Sequence, residues 1–243
     1  MHQDLVIIKL GGNALLDLSA TFFQQLHALK AAGHKIILLH GGGAMISDLS
    51  TQLNLPIKKV AGIRVTDEAT LKVTKMVLLG HMQPLLAQKL SQAGFSVTCQ
   101  NAAMNHLLTG EFLDFETYGY VGTITQANHE ALLNFDSDIL ILAPLALTPD
   151  GHWLNVNADQ AACNLAAMLQ VKQLYLLTDV AGVLNQGQVL PSLNQKEALA
   201  LCQKEVITAG MQPKIKAAFQ AKHAGVQHVF ITNTLQASGT SIQ

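Results

Sequence analysis

The sequence predicts an α/β fold: a three-layer αβα sandwich with a mainly parallel central sheet and β-hairpin lids. Three observations predict it. Short, near-continuous aliphatic runs alternate with amphipathic stretches along the whole chain, the pattern of strands buried on both faces by covering helices. Two of these runs stop abruptly in glycine and pass into helical sequence: Leu5-Val6-Ile7-Ile8-Lys9-Leu10 into Gly11-Gly12-Asn13, and Lys35-Ile36-Ile37-Leu38-Leu39-His40 into Gly41-Gly42-Gly43. With 243 residues, 49% of them hydrophobic, the chain can bury a large core as one domain or two tightly joined lobes.

Taken in order, strands are expected near 5–10, 35–40, 95–99, 138–142, 173–178 and 226–231, and helices near 19–32, 44–54, 67–92, 158–169 and 210–224. The long helix opens at Thr66-Asp67-Glu68, a capping hydroxyl followed by two acids that suit the positive end of the helix dipole. Its apolar residues Leu71, Val73, Met76, Val77, Leu78, Leu79, Leu85 and Leu86 are explained mostly by burial. A helix this long and apolar also suits packing against a copy of itself, so a homodimer is expected. Residues 55–65 and 104–123 break the alternation with Gly, Thr and aromatics, which suits hairpins laid over an opening of the sheet.

Composition narrows the function. The formal net charge is −1 and the basic residues are dispersed, which removes the electrostatic footprint of a nucleic-acid binder. Three cysteines, Cys99, Cys163 and Cys202, form no CxxC pattern, and ten histidines show no ligand spacing; neither a disulfide framework nor a zinc site is suggested. No apolar run reaches the length of a membrane span, and the first strand starts within a few residues of Met1, leaving no room for a signal peptide. A cytoplasmic protein with no nucleic-acid or membrane partner is expected.

The two glycine turns read as anion cradles, because a strand that ends in glycine before a helix presents bare backbone N–H groups. Ordinary strand-to-helix turns have the same composition, but two of them lie within the first 43 residues. Lys9 adds a mobile point charge beside the first. Further along, Asn155-Val156-Asn157-Ala158-Asp159 precedes the small-residue helix Ala161 to Met168 and puts Asp159 in its first turn, where an acid also serves as a simple dipole cap. Thr178-Asp179-Val180-Ala181-Gly182-Val183 follows a strand and sets small and polar residues at the carboxyl end of the sheet, the usual place for a nucleotide. Gly210-Met211-Gln212-Pro213-Lys214 opens another helix. A cation there is disfavoured by the dipole and better explained by an anion it must meet. Gly62-Ile63-Arg64-Val65-Thr66 puts an arginine on a hairpin edge, with the planar fork that bidentate carboxylate contact requires.

These six pieces, IIKLGGN, LLHGGG, AGIRVTDE, LNVNADQAA, LTDVAGV and ITAGMQPK, in this order over essentially the whole chain, resemble the amino-acid kinase family. AGIRVTDE and LNVNADQAA separate its acetylglutamate branch from carbamate, uridylate and aspartate kinases. The resemblance implies transfer of the γ-phosphoryl of ATP to the side-chain carboxylate of N-acetyl-L-glutamate, a step of arginine biosynthesis. It implies Lys9 and Lys214 flanking the transferring group and Asp159 organising both lysines. Gly11, Gly12 and Gly41 would cradle the phosphoryl group, while Gly42, Gly43, Arg64 and Asn155 would bind the acyl substrate. Asp179, Val180, Ala181, Gly182, Val183 and Leu184, with Val206, Ile207 and Thr208, match the adenine and ribose side. The implied lobes run from about 1–170, for acyl substrate and dimerisation, and about 171–243, for nucleotide. Mg²⁺ is implied by the nucleotide, with no protein ligand for it.

Two turns depart from the family pattern. Asn101-Ala102-Ala103-Met104-Asn105 stands where relatives carry a glycine-and-acid turn, and Ala143-Pro144-Leu145-Ala146 puts alanine where glycine is expected. No N-terminal helix precedes the first strand, unlike the hexamer-forming members, which implies an arginine-insensitive dimer. N-acetyl-α-aminoadipate, one methylene longer, remains open as acceptor, because a methylene carries only about 1–3 kcal/mol of discrimination. A catalytically silent amino-acid sensor on the same fold also remains open. A dinucleotide oxidoreductase is excluded, since neither turn reads G-x-G-x-x-G.

Overall fold

All six expected strands enter one eight-stranded sheet in the computed structural model of the chain, which describes residues 5–207, 210–236 and 239–243. The neighbours Val97–Gln100, Ile139–Leu142, Lys35–His40, Leu5–Leu10, Gln173–Leu177 and His228–Thr232 all run parallel. At the far edge Thr240–Ile242 adds antiparallel to His228–Thr232, and Ser192–Leu193 adds parallel to Thr240–Ile242.

The strands are apolar throughout because both faces are covered. Ile7, Ile37, Leu39, Leu140, Leu174 and Val229 share one buried cluster with Ala162, Leu165 and Ala166 of helix Ala158–Met168 and Ile215 and Ala218 of helix Gln212–His223. Ile8, Leu10, Ile36, Leu38 and Ile141 face the opposite cluster. There they meet Phe22 and Leu26 of helix Ala20–Ala31, Ile46 of helix Gly43–Gln52, and Val77, Leu78, Met82 and Leu86 of the long helical segment. Among the described residues no helix is long and apolar enough to cross a membrane.

Several elements differ from expectation. The long helix is capped by Asp67, whose carboxylate accepts from the Thr70 N–H at 2.7 Å, and not by the Thr66 hydroxyl. It is also interrupted: helices Glu68–Val77 and Gln83–Gln92 are joined by the π-helical turn Leu78–Met82. A short helix, Gly12–Leu16, precedes the expected one at Ser19, and helix Gln195–Gln203 escaped sequence reading although it opens with a full capping box from Asn194 to Glu197. The hairpin expected over 55–65 is the two-stranded Lys59–Val60 and Ile63–Arg64. The one expected over 104–123 is larger than a lid. Leu108–Phe112 and Val121–Ala127 close with Leu145–Leu147 and Trp153–Val156 into a small four-stranded barrel. Leu145–Leu147 and Trp153–Val156 are too short to show an alternation that can be read singly, and two of the barrel's pairings span residues far apart in sequence.

The π-turn packs directly beneath the second glycine turn. A Cβ on Gly42 would lie 2.8 Å from Leu78 Cδ2 and 3.3 Å from Met82 Cγ, so glycine alone allows this approach. His40, at the end of its strand, is fully buried; its Nδ1–H donates to the Gly41 carbonyl at 3.2 Å and its Nε2 has no partner among the described residues. Burial lowers its pKa to about 4, against the smaller opposing effect of the Gly41 hydrogen bond. The unfolded chain therefore takes up a proton near pH 6.5 while the folded chain resists it, and stability falls as pH drops from about 6.5 towards 4. Urea midpoints measured between pH 7 and 5, where carboxylates stay ionised, should decline in the wild type and decline measurably less in His40→Asn. Equal slopes in the two proteins would remove His40 as the cause.

Candidate active site

Strand alternation puts Lys9 on the same face as Leu5 and Ile7, the face covered by helix Ala158–Met168. A lysine in a buried strand needs a counter-charge, and that helix supplies Asp159 from its first turn. Capping is done by another residue. The Asn157 side chain accepts from the N–H groups of Asp159 and Gln160 at 3.0 and 3.1 Å, which leaves the Asp159 carboxylate free for side-chain partners. Lys9 Nζ lies 2.9 Å, and Lys214 Nζ 2.7 Å, from the same Asp159 Oδ1. Lys214 arrives from the first turn of helix Gln212–His223, which is packed on helix Ala158–Met168 and tied to it by Gln160 Nε2 donating to Gln220 Oε1 at 3.1 Å.

The electrostatics follow from burial and the surplus of cations. Desolvation alone would raise the Asp159 pKa, but the ammonium groups of Lys9 and then Lys214 outweigh it and hold the carboxyl below its ordinary value. Lys214 is pushed below the usual lysine value, first by burial and then by the Lys9 charge, with Asp159 opposing. Two ammonium groups share one carboxylate, so the triad carries net positive charge towards whatever enters beside it.

The sheet brings the two glycine turns together. Their strands are adjacent and parallel, in register from Leu5 opposite Lys35 to Leu10 opposite His40, so both turns leave the same edge. A Cβ on Gly12 would lie 3.1 Å from the Gly42 nitrogen. Helix Gly43–Gln52 starts there without any side-chain cap, leaving its first N–H groups to an incoming anion.

Arg64 closes the other side. Its Nη2 donates to the Gly43 carbonyl at 3.0 Å and to Ser47 Oγ at 2.8 Å. Nε and Nη1 make no bond among the described residues, and no carboxylate pairs with the guanidinium there. Its pKa is lowered by partial burial. Such a half-buried, unpaired guanidinium is a ready receptor for a carboxylate. Across from it, Asn155 Nδ2 donates to Thr66 Oγ1 at 3.0 Å.

A cavity of about 270 Å³ unites these groups: Lys9, Gly12, Gly41, Gly42, Gly43, Arg64, Asn155 and Asp159 all line it. Sequence reasoning missed several of its walls, among them Lys59, Ile46, Leu78, Val121 and Pro144, and Ser47 behind Arg64. Lys59 could have been found as the residue facing Arg64 across the hairpin, and Ser47 as one helical turn beyond Gly43. Leu78 had no local signal, since only the π-turn brings it here.

The residues assigned to the nucleotide lie apart from this cavity. Asp179, Val180, Ala181, Gly182, Val183 and Leu184 follow strand Gln173–Leu177, which adjoins the Lys9 strand, and Gly11 sits between them, with a Cβ position 3.9 Å from the Leu177 carbonyl. Val183 is 2% and Ile207 3% exposed. Their side chains are packed in the core. The Val183 N–H is itself spent on Thr240 Oγ1 at 2.8 Å. Val206 is half-buried, and Thr208 lies outside the described residues. Among the described residues no group of three or more His, Cys, Asp or Glu could hold a metal.

Residues 4–233 match the Amino acid kinase family, and the chain belongs to that family. It is 50% identical over 239 residues to the acetylglutamate kinase of Lactiplantibacillus plantarum, covering 98% of this chain and 96% of that protein. It is 45% identical to the acetylglutamate kinase of Leuconostoc mesenteroides, covering 98% of each. The crystal structure of smu.665 from Streptococcus mutans UA159 superposes with a TM-score of 0.92 at 37% identity, covering 99% of this chain and 98% of that one.

Removing the shared counter-charge should destabilise the protein. Asp159→Asn leaves two buried ammonium groups facing each other, and a loss of about 3 kcal/mol or more is expected from broken buried pairs of this kind. Urea unfolding at pH 7 measures it. A variant as stable as the wild type would show that the lysines find other partners.

Proposed function

We propose that the chain transfers the γ-phosphoryl of ATP to the side-chain carboxylate of N-acetyl-L-glutamate, giving N-acetyl-L-glutamyl 5-phosphate, a step of arginine biosynthesis. The observation that carries this reading is the Lys9–Asp159–Lys214 triad, set beside a cavity whose far wall offers an unpaired arginine and an asparagine. The first half of that arrangement stabilises a transferring anion and the second receives an amino-acid-like acid.

The chemistry asks little more of the protein. A glutamate-like carboxylate has a pKa of about 4.3 and is ionised at neutral pH, so no general base is needed to activate it. Charge in the transition state spreads over the equatorial phosphoryl oxygens, where fixed cations and backbone N–H groups stabilise it. In this reading Lys9 and Lys214 supply the cations, and Gly11, Gly12 and Gly41 the N–H groups. Gly42 and Gly43 meet the acyl substrate, Arg64 takes the α-carboxylate, and Asn155 helps anchor the same end. Asp159 holds both lysines in place and abstracts no proton. ATP lies over the C-terminal part, against Asp179–Leu184 and Val206–Thr208, and brings Mg²⁺ with it. A silent sensor would have no use for two cations beside the cradle.

We also propose a homodimer formed through the long helical segment. Met76 is 60% exposed, and beside it an apolar groove of about 470 Å³ runs between helices Gly43–Gln52 and Glu68–Val77, lined by Met45, Leu49 and Val77. Three unpaired cysteines and the use of ATP fit the cytoplasm.

Purified protein given ATP, Mg²⁺ and N-acetyl-L-glutamate should form an acyl phosphate that hydroxylamine traps as the hydroxamate. Turnover of N-acetyl-α-aminoadipate alone would reassign the acceptor. Lys214→Ala should lower kcat by about 10²–10³-fold, the usual effect of deleting one transition-state donor, while acetylglutamate affinity measured by calorimetry changes little; full activity would refute its role. Met76→Lys should shift the protein towards monomer in light scattering, whereas an unchanged mass would move the interface elsewhere.

A further inference from the structure

Thr66 is fully buried and stands where three parts of the site converge. Its N–H donates to the Tyr118 carbonyl at 2.9 Å, and its own carbonyl accepts from the Tyr120 N–H at 2.7 Å. Between them Gly119 has φ +67° and leaves no room for a Cβ against the Thr66 carbonyl, so the barrel loop is locked onto this residue. The Thr66 hydroxyl donates to the Arg64 carbonyl at 3.1 Å and accepts from Asn155 Nδ2 at 3.0 Å. The Asn155 N–H in turn donates to the Tyr120 carbonyl at 2.8 Å. One residue thus joins three parts: its backbone holds the barrel loop, and its hydroxyl joins the lid hairpin to the strand that carries Asn155.

Proton counting gives this junction a consequence. A hydroxyl has one proton. With that proton committed to the Arg64 carbonyl, Thr66 can face Asn155 only as an acceptor, and the NH₂ end of the carboxamide must turn towards it. The other end, Oδ1, has no partner among the described residues, on a side chain that lines the cavity. Reversing the amide would set two acceptors against each other unless Thr66 gave up Arg64.

We propose that Thr66 is a positioning and specificity-determining residue: its hydroxyl fixes the spacing of Arg64 and Asn155 and leaves the Asn155 oxygen for the acceptor, so that the site selects a carboxylate flanked by an N–H donor. This rests on the reading of Arg64 and Asn155 as the anchors of the acceptor. A site built to receive an N–H discriminates against an analogue lacking it, because its own acceptor is then left unpaired.

Two measurements test the assignment. In the ligand-free wild type, side-chain amide hydrogen exchange by NMR should show the Asn155 carboxamide protected; exchange at the rate of a free amide would overturn the junction. In kinetics, N-acetyl-L-glutamate is compared with 2-acetoxyglutarate, in which oxygen replaces the N–H. The wild type should prefer the amide by about tenfold or more in kcat/KM. Thr66→Val should raise the acceptor KM by about tenfold, leave the KM for ATP within about twofold and bring the preference close to unity, and Thr66→Ser should restore both. A folded Thr66→Val enzyme with wild-type acceptor KM and preference would overturn the proposal. If valine is not tolerated, Thr66→Ser against Thr66→Ala gives the same comparison. A protected carboxamide in a wild type that turns over neither compound would overturn the functional reading and the specificity drawn from it, while leaving the junction itself intact.

Discussion

One carboxylate oxygen holds two buried ammonium groups, and the geometry of the site depends on it. Lys9 comes from the centre of the sheet and Lys214 from a helix more than two hundred residues later; Asp159 Oδ1 lies within 2.9 Å of the first and 2.7 Å of the second. Without the carboxylate, two desolvated cations would repel each other. With it, they stand side by side and still carry one surplus positive charge. That surplus is held in the folded state, and an anion beside it would satisfy it further.

The sheet makes this arrangement possible. Parallel strands in register end together, so two turns separated by thirty residues of chain emerge side by side, with Gly12 and Gly42 almost touching. Helix Ala158–Met168 lies on the same face as Lys9, and its cap is assigned to Asn157. The neighbouring asparagine therefore does the local work of starting the helix, and Asp159 is released for the lysines. Beneath the glycines, the π-turn Leu78–Met82 fills space that only a missing Cβ leaves open. The wall that carries Arg64 and Asn155 is built separately, from a two-stranded hairpin and a small barrel pinned together at Thr66.

Legibility differed by the range of the interactions involved. The six parallel strands and the helices that cover them were readable because double-sided burial writes a continuous apolar run, and an amphipathic helix repeats its apolar residues every three to four positions. The barrel strands were not: Leu145–Leu147 and Trp153–Val156 are three and four residues long, and their partners lie up to several dozen residues away. Val183 and Ile207 belong to stretches matched to the nucleotide side, and their aliphatic side chains are packed in the core, as burial of apolar surface demands. Thr66 looked like a cap by its position before two acids; Asp67 took that role because its carboxylate accepts the Thr70 N–H directly.

By itself the sequence determined the layered architecture, the two glycine turns, and the chemistry of each candidate group, since these follow from local periodicity, from glycine's missing side chain and from charge. Only the tertiary structure decided which groups meet. That Lys9 and Lys214 share one oxygen of Asp159, that Arg64 meets no carboxylate among the described residues, and that Asn155 Nδ2 donates to Thr66 Oγ1 are facts of strand register and of long-range hydrogen bonds. Their physical reason is that a buried polar group must be paired by whatever the fold brings within about 3 Å, and no local stretch of chain contains that information.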